Sequence, residues 1–134
     1  MSAATTSASR DPGIVLLRVA LAVILAIHGV YRISTGGVAP FGEFLGSRGF
    51  PAGVALAWAI SIFEIAGAAL LALGRFVTLI SAIFVAQLLA GIWLVHLPNG
   101  WFVVGGGRNG VEFSVLLITG FVALVLSERA RPRA

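Results

Sequence analysis

Five ionisable side chains stand within or at the ends of long apolar stretches of this chain: His28, Arg32, Glu64, His96 and Glu112. Their types could support proton transfer. An imidazole changes charge near neutral pH and can give or take a proton at a reacting oxygen. A carboxylate can accept that proton, and a guanidinium can hold negative charge. His28 and Arg32 are four residues apart, which puts them on one helix face. Asn99, Trp101 and Phe102 follow His96 closely and add an amide and two rings to the same region. Other chemistries are excluded. The chain has no cysteine, which removes thiolate nucleophiles, iron–sulfur clusters and cysteine-ligated zinc. No cluster of residues has metal-ligand spacing. Gly105-Gly106-Gly107-Arg108 lacks the strand and the ending of a phosphate loop, and reads as a flexible surface connection.

The elements that must position these residues follow from composition and hydropathy. The chain has 134 residues, 59% of them hydrophobic and 10% charged, with a net charge of +4. Soluble domains are about 25% charged, so these numbers point to an all-α integral membrane protein. Four apolar runs, about 13–33, 53–73, 76–97 and 110–127, each match a hydrocarbon core of about 30 Å. The expected architecture is a single four-helix membrane domain over residues 13–127. A flexible N-terminal tail (1–12) precedes it and a basic C-terminal tail (128–134) follows. Asp11-Pro12 supplies an N-cap and a first-turn proline. The first loop, with Phe41, Phe44 and Phe50 among glycines, has room for a short interfacial helix. Gly74-Arg75 predicts a tight turn between the second and third runs.

The cations are all arginine and are dispersed beside the apolar runs, which suits topology signals and not nucleic-acid binding. Arg10, Arg75, Arg129, Arg131 and Arg133 fall on one side, with Arg18 snorkelling toward it. Arg32, Arg48 and Arg108 fall on the other. The positive-inside rule then places both termini in the cytoplasm. On this topology the five ionisable residues converge on the outer half of the bundle. A charge at the bilayer centre costs about 2.5–3.5 kcal/mol on insertion scales, so each needs a reason. Plainer readings stand beside the catalytic one. The histidines can bond water, backbone or headgroups, Arg32 can snorkel, and Glu112 suits a helix N-terminus. Gln87 suits interhelical contact. Glu64 is the hardest to dismiss, since it must be protonated, paired across helices or turned to a polar cavity. Gly53, Ala57 and Ser61, and Ala82, Ala86 and Ala90, recur every four residues as close-packing faces, with Ala55, Ala59 and Gly67 on another stripe.

The order of these residues resembles the DoxX family of small four-helix bacterial membrane proteins. The resemblance rests on Arg18, His28-Gly29 with Arg32, Gly49-Phe50-Pro51, Glu64-Ile65-Ala66-Gly67 and Gly74-Arg75-Phe76. It continues with His96-Leu97-Pro98-Asn99-Gly100-Trp101-Phe102 and Glu112-Phe113, and covers about residues 14 to 128. Where members often have Glu-Tyr-Pro, this chain has Glu112-Phe113-Ser114 and lacks the tyrosine hydroxyl. The resemblance implies a subunit of a membrane redox system in the bacterial plasma membrane, linked to quinone chemistry or oxidative-stress defence. Glu64, His28, His96 and Glu112 would then be the catalytic candidates, with Arg32, Asn99, Trp101 and Phe102 lining a quinone slot. No flavin, nicotinamide or metal motif is present, so electrons would come from a partner subunit or a soluble reductant such as a sulfur compound. His28 and His96 could also ligate haem, but each stands at a helix end beside a loop, which argues against it. Two other classes remain open. One is a non-catalytic scaffold or assembly factor, alone or as a homo-oligomer. The other is a small proton-coupled transporter built on Glu64.

Overall fold

The computed structural model describes residues 11–130, which are helical with no strand among them. The expectations for residues 1–10 and 131–134 lie outside these residues. The helices are α1 (Pro12–Ser34), α2 (Val38–Ser47), α3 (Gly53–Ala72), α4 (Val77–Gly91) and α5 (Glu112–Arg129). A π turn (Ile92–His96) and a 3-10 turn (Leu97–Asn99) continue α4. Asp11 caps α1, its Oδ1 accepting from the N–H of Gly13 at 2.8 Å and of Ile14 at 3.2 Å. A helix does occupy the first loop, as its mixed aromatic and glycine content suggests.

Three stretches are long and apolar enough to cross a membrane: Pro12–Ser34, Gly53–Ala72 and Val77–Asn99. At most a third of each apolar window is buried within the protein. Leu16, Ile27, Ile62, Leu79 and Trp93 are among the large side chains left on their outer surfaces. Burying apolar area is worth roughly 25 cal/mol per Å², so such surfaces belong against lipid. α5 differs. Its 18 residues include Glu112, Glu128 and Arg129 at the two ends, and it does not qualify as a span on the same grounds.

The chain forms two compact units. The first covers Val19–Arg75 and holds most of α1 with α2 and α3. In α3 the buried stripe is Ala57, Ser61, Glu64, Ala68 and Leu71, at helical spacing. Glycine sets two close approaches to this helix. A Cβ on Gly29 of α1 would stand 2.7 Å from the Ser61 carbonyl oxygen and 3.0 Å from Glu64 Cβ. A Cβ on Gly42 of α2 would collide with the Val54 backbone, and one on Gly53 with the Gly42 carbonyl. α1 therefore ends beside the middle of α3, and α2 covers the first turns of α3 beyond it.

The second unit holds the start of α1 through Arg18, together with Phe76 onward. Here α4 buries Val77, Ile80, Ser81 and Phe84. α5 buries Ser114, Leu117, Gly120, Phe121 and Leu124. The Phe84 and Phe121 rings meet with centroids 5.3 Å apart. The expected small-residue face of α4 is not the one used. Ala82, Ala86 and Ala90 are exposed, because the bulkier Ile80 and Phe84 turn the opposite stripe inward. Ala55 and Ala59 are likewise exposed on α3. Gly74, with φ +73°, makes the tight turn after α3, and Phe76, with φ +53°, starts α4.

Candidate functional site

The first unit brings together Arg32 and Glu64. Arg32 lies in the last turn of α1, and Glu64 lies mid-way along α3, facing inward. Arg32 Nη1 donates to Glu64 Oε2 at 2.6 Å and to Ser61 Oγ at 3.1 Å. The Ser61 hydroxyl donates in turn to the Ala57 carbonyl at 2.8 Å, one turn back, so its free lone pair points to the guanidinium. The Glu64 side chain is 3% exposed and that of Arg32 19% exposed. Phe41 of α2 caps the cation, with the guanidinium carbon 4.6 Å from the ring centroid.

This geometry answers the question Glu64 raised. The carboxylate is paired across helices, as its depth requires. Gly29 makes the pairing possible, because it lets the α1 backbone approach Ser61 and Glu64 with no side chain between. Among the described residues, the hydrogen bonds of Arg32 leave only from Nη1. The donors on Nε and Nη2 are not used there, and the group keeps some exposure. His28 lies on the exposed side of α1 and makes no hydrogen bond with a described residue. Ser61 and Phe41 were not singled out as site residues by sequence. Ser61 was visible only as a small packing residue, and Phe41 only as one loop aromatic among several.

The other candidates belong to the second unit, where they tie down the connection from Leu97 to Glu112. His96 Nδ1 lies 2.9 Å from the Asn109 carbonyl oxygen. A carbonyl can only accept, so Nδ1 carries the proton and Nε2 keeps a lone pair in the neutral ring. Asn99 Nδ2 donates to the Val95 carbonyl at 2.8 Å. Glu112 Oε1 accepts from the Val103 N–H at 2.8 Å. Backbone bonds pair the two arms of the connection: Val111 N–H to Gly100 O, Glu112 N–H to Trp101 O and Gly110 N–H to Phe102 O, each 3.0 Å. These bonds tie the two arms of the connection, and Gly105-Gly106-Gly107-Arg108, expected to be a flexible surface connection, forms the stretch between them. Trp101 and Phe102 are exposed on the first arm.

Arg18 and Ser81, also in the second unit, are buried polar residues whose Nε and Oγ atoms have no hydrogen-bond partner among the described residues. Arg18 was expected to snorkel outward, yet it is only 9% exposed. No group of three or more potential metal ligands occurs among the described residues.

One comparison with known proteins identifies a family. The DoxX family profile matches residues 13–97, well over half of the chain. The matched segment contains Arg18, His28, Arg32, Glu64 and His96 and stops before Glu112. No curated protein and no solved structure shows significant similarity to the chain.

Proposed function

The chain belongs to the DoxX family, and from that premise we propose that it is a membrane subunit of a redox system that receives a quinone headgroup beside Arg32. The observation that carries this reading is the composition of the Arg32 site. A quinone headgroup requires a flat apolar neighbour, hydrogen-bond donors for its carbonyl oxygens and a route for protons. Phe41 offers the ring, and the Nε and Nη2 groups of Arg32 offer donors. Glu64, bonded to the same guanidinium, offers a proton acceptor whose charge is balanced when the site is empty. A bound quinone would supply a two-electron, two-proton acceptor. Arg32 would orient it and hold negative charge on its oxygen, and Glu64 would carry a proton. The electrons would come from a partner subunit that oxidises a reduced sulfur compound.

In the same reading the membrane domain spans residues 13–127 in the bacterial plasma membrane, with α5 as the fourth span and both termini cytoplasmic. The apolar part of α5, Phe113–Ser127, is about 22 Å long at 1.5 Å per residue. Glu128 and Arg129 at one end and Glu112 at the other would reach the interfaces from a locally thinned bilayer.

The test is binding of a photoreactive short-chain quinone to the protein in nanodiscs, followed by mapping of the labelled peptides. Labelling of the peptides around Phe41 and Ser61, lost in Arg32→Gln, is expected. Labelling that is unchanged in Arg32→Gln and Phe41→Leu would reject the site. A second reading, a non-catalytic scaffold, is favoured by one observation: His96, Asn99 and Glu112 all bond to backbone in their own unit. That reading predicts that Arg32 and Glu64 variants lose folding and complex assembly together, with no separable loss of quinone binding.

A further inference from the structure

Ser61 stands one turn before Glu64 on the buried stripe of α3 and is itself fully buried. Its hydroxyl proton is committed to the Ala57 carbonyl at 2.8 Å, so toward Arg32 the oxygen can act only as an acceptor. Ser61 Oγ and Glu64 Oε2 thus present two acceptors on one face of α3. One nitrogen of Arg32 serves both. Nη1 carries two hydrogens, and it donates to Glu64 at 2.6 Å and to Ser61 at 3.1 Å.

The consequence falls on the rest of the guanidinium. Beside a carboxylate alone, the favoured arrangement is two parallel bonds from two nitrogens. Bridging from Nη1 alone leaves Nε and Nη2 unspent. These two share one edge of the planar group and form a fork of donors. No described residue bonds to either nitrogen. Neither is sealed, in contrast to Arg18 Nε. Phe41 caps a face of the group, whereas hydrogen bonds form at its edges.

We propose that Ser61 is a positioning residue. It holds Arg32 in one-nitrogen contact with Glu64 and so keeps the Nε–Nη2 fork open for an oxygen acceptor. That the acceptor is a quinone oxygen rests on the function proposed above. Ser61 touches no ligand; it acts through the direction it gives to Arg32.

The experiment compares wild type and Ser61→Ala as full chains in nanodiscs. One measurement is the separation of the symmetric and antisymmetric stretches of the Glu64 carboxylate, isolated by subtracting the infrared spectrum of Glu64→Gln. Contact at a single oxygen makes the two C–O bonds unequal and the separation wide. Contact with two nitrogens evens the bonds and narrows it. The unfolding midpoint and labelling by the photoreactive short-chain quinone are read on the same samples. In Ser61→Ala the guanidinium turns to meet Glu64 with two nitrogens, which breaks the fork. The separation is expected to narrow, the midpoint to hold or rise, and labelling to fall severalfold, up to about tenfold, as loss of one donor to the ligand does. A serine that only packs would leave the separation unchanged, whether or not midpoint and labelling fall together, and that result would overturn the proposal. Labelling of wild type that persists undiminished in Ser61→Ala would overturn it as well. A narrowed separation with neither protein labelled would support positioning by Ser61 and reject quinone as the acceptor, so the two failures are distinct.

Discussion

Replacing Glu64 by leucine leaves Arg32 charged inside the first unit without its counter-ion. Breaking one side of a buried ion pair costs about 3–5 kcal/mol, because the remaining charge is stranded. Arg32 keeps 19% of its side-chain surface, so the lower end, about 3 kcal/mol, applies. Arg32→Met has a milder effect of about 1–3 kcal/mol, since an isolated buried carboxylic acid can bind a proton and become neutral. Changing both residues removes both charges. The Ser61 hydroxyl still bonds to the Ala57 carbonyl. The double variant should lie within about 1 kcal/mol of wild type. The four proteins define a cycle with a coupling energy of about 4–6 kcal/mol when the double variant matches wild type. The assay is reversible unfolding in mixed micelles, followed by circular dichroism or tryptophan fluorescence. A double variant as unstable as the sum of the singles would refute the pairing. A stable double variant that no longer binds quinone would separate function from folding.

Three other perturbations test the surrounding geometry. Gly29→Ala should lower stability by about 1–3 kcal/mol through overpacking at Ser61 and Glu64. An uncrowded helix site would instead gain about 1 kcal/mol from the same change, so the sign of the shift in unfolding midpoint decides. Glu112→Ala should speed hydrogen exchange at the Val103 amide roughly tenfold by removing its acceptor. Glu112→Gln keeps an acceptor oxygen and should change it far less; equal exchange in both variants would contradict the contact. Phe41→Leu should weaken the Arg32 site by about 0.5–2 kcal/mol through loss of the ring face over the cation, measured as a loss of unfolding free energy that disappears in an Arg32→Met background.

The long helices were legible because hydropathy alone defines them. Pro12–Ser34, Gly53–Ala72 and Val77–Asn99 carry unbroken apolar patterns, and a bilayer rewards length and apolarity without reference to tertiary contacts. The partner of Glu64 was legible only as a class. Depth required a cation or a polar cavity, but the choice of Arg32 depends on Gly29, whose missing side chain lets α1 approach α3. A single glycine in an apolar helix carries no such signal by itself. The packing face of α4 was misjudged for a related reason. Small residues every four positions permit close approach but do not compel it, and Ile80 and Phe84 bury more apolar area on the other side. The pairing of the two arms on either side of residues 105–108 was not visible in the sequence. The backbone bonds that pair them join residues about ten apart and leave no composition pattern.

An ion pair at the middle of an apolar helix is weak evidence of stabilisation, since a well-packed apolar pair of similar volume is often as stable. The Arg32–Glu64 arrangement therefore has to be explained by something other than stability. Two details of its geometry favour chemistry over a purely structural role. The pair is asymmetric: Glu64 is nearly sealed, while Arg32 keeps partial exposure and uses one of its three nitrogens toward Glu64 and Ser61. A cation serving only to neutralise Glu64 would gain from meeting it with two nitrogens side by side, the stronger geometry for this pair of groups. Phe41 then covers one face of the guanidinium from α2, a helix whose attachment to α3 depends on the Gly42 and Gly53 contact. A bulky residue at either glycine would lift α2 and its ring away while leaving the Arg32–Glu64 pair between α1 and α3. Gly42→Val should thus reduce quinone labelling severalfold with the ion pair intact. Labelling that survives displacement of α2 would show that the ring takes no part, and would leave the pair to the scaffold reading.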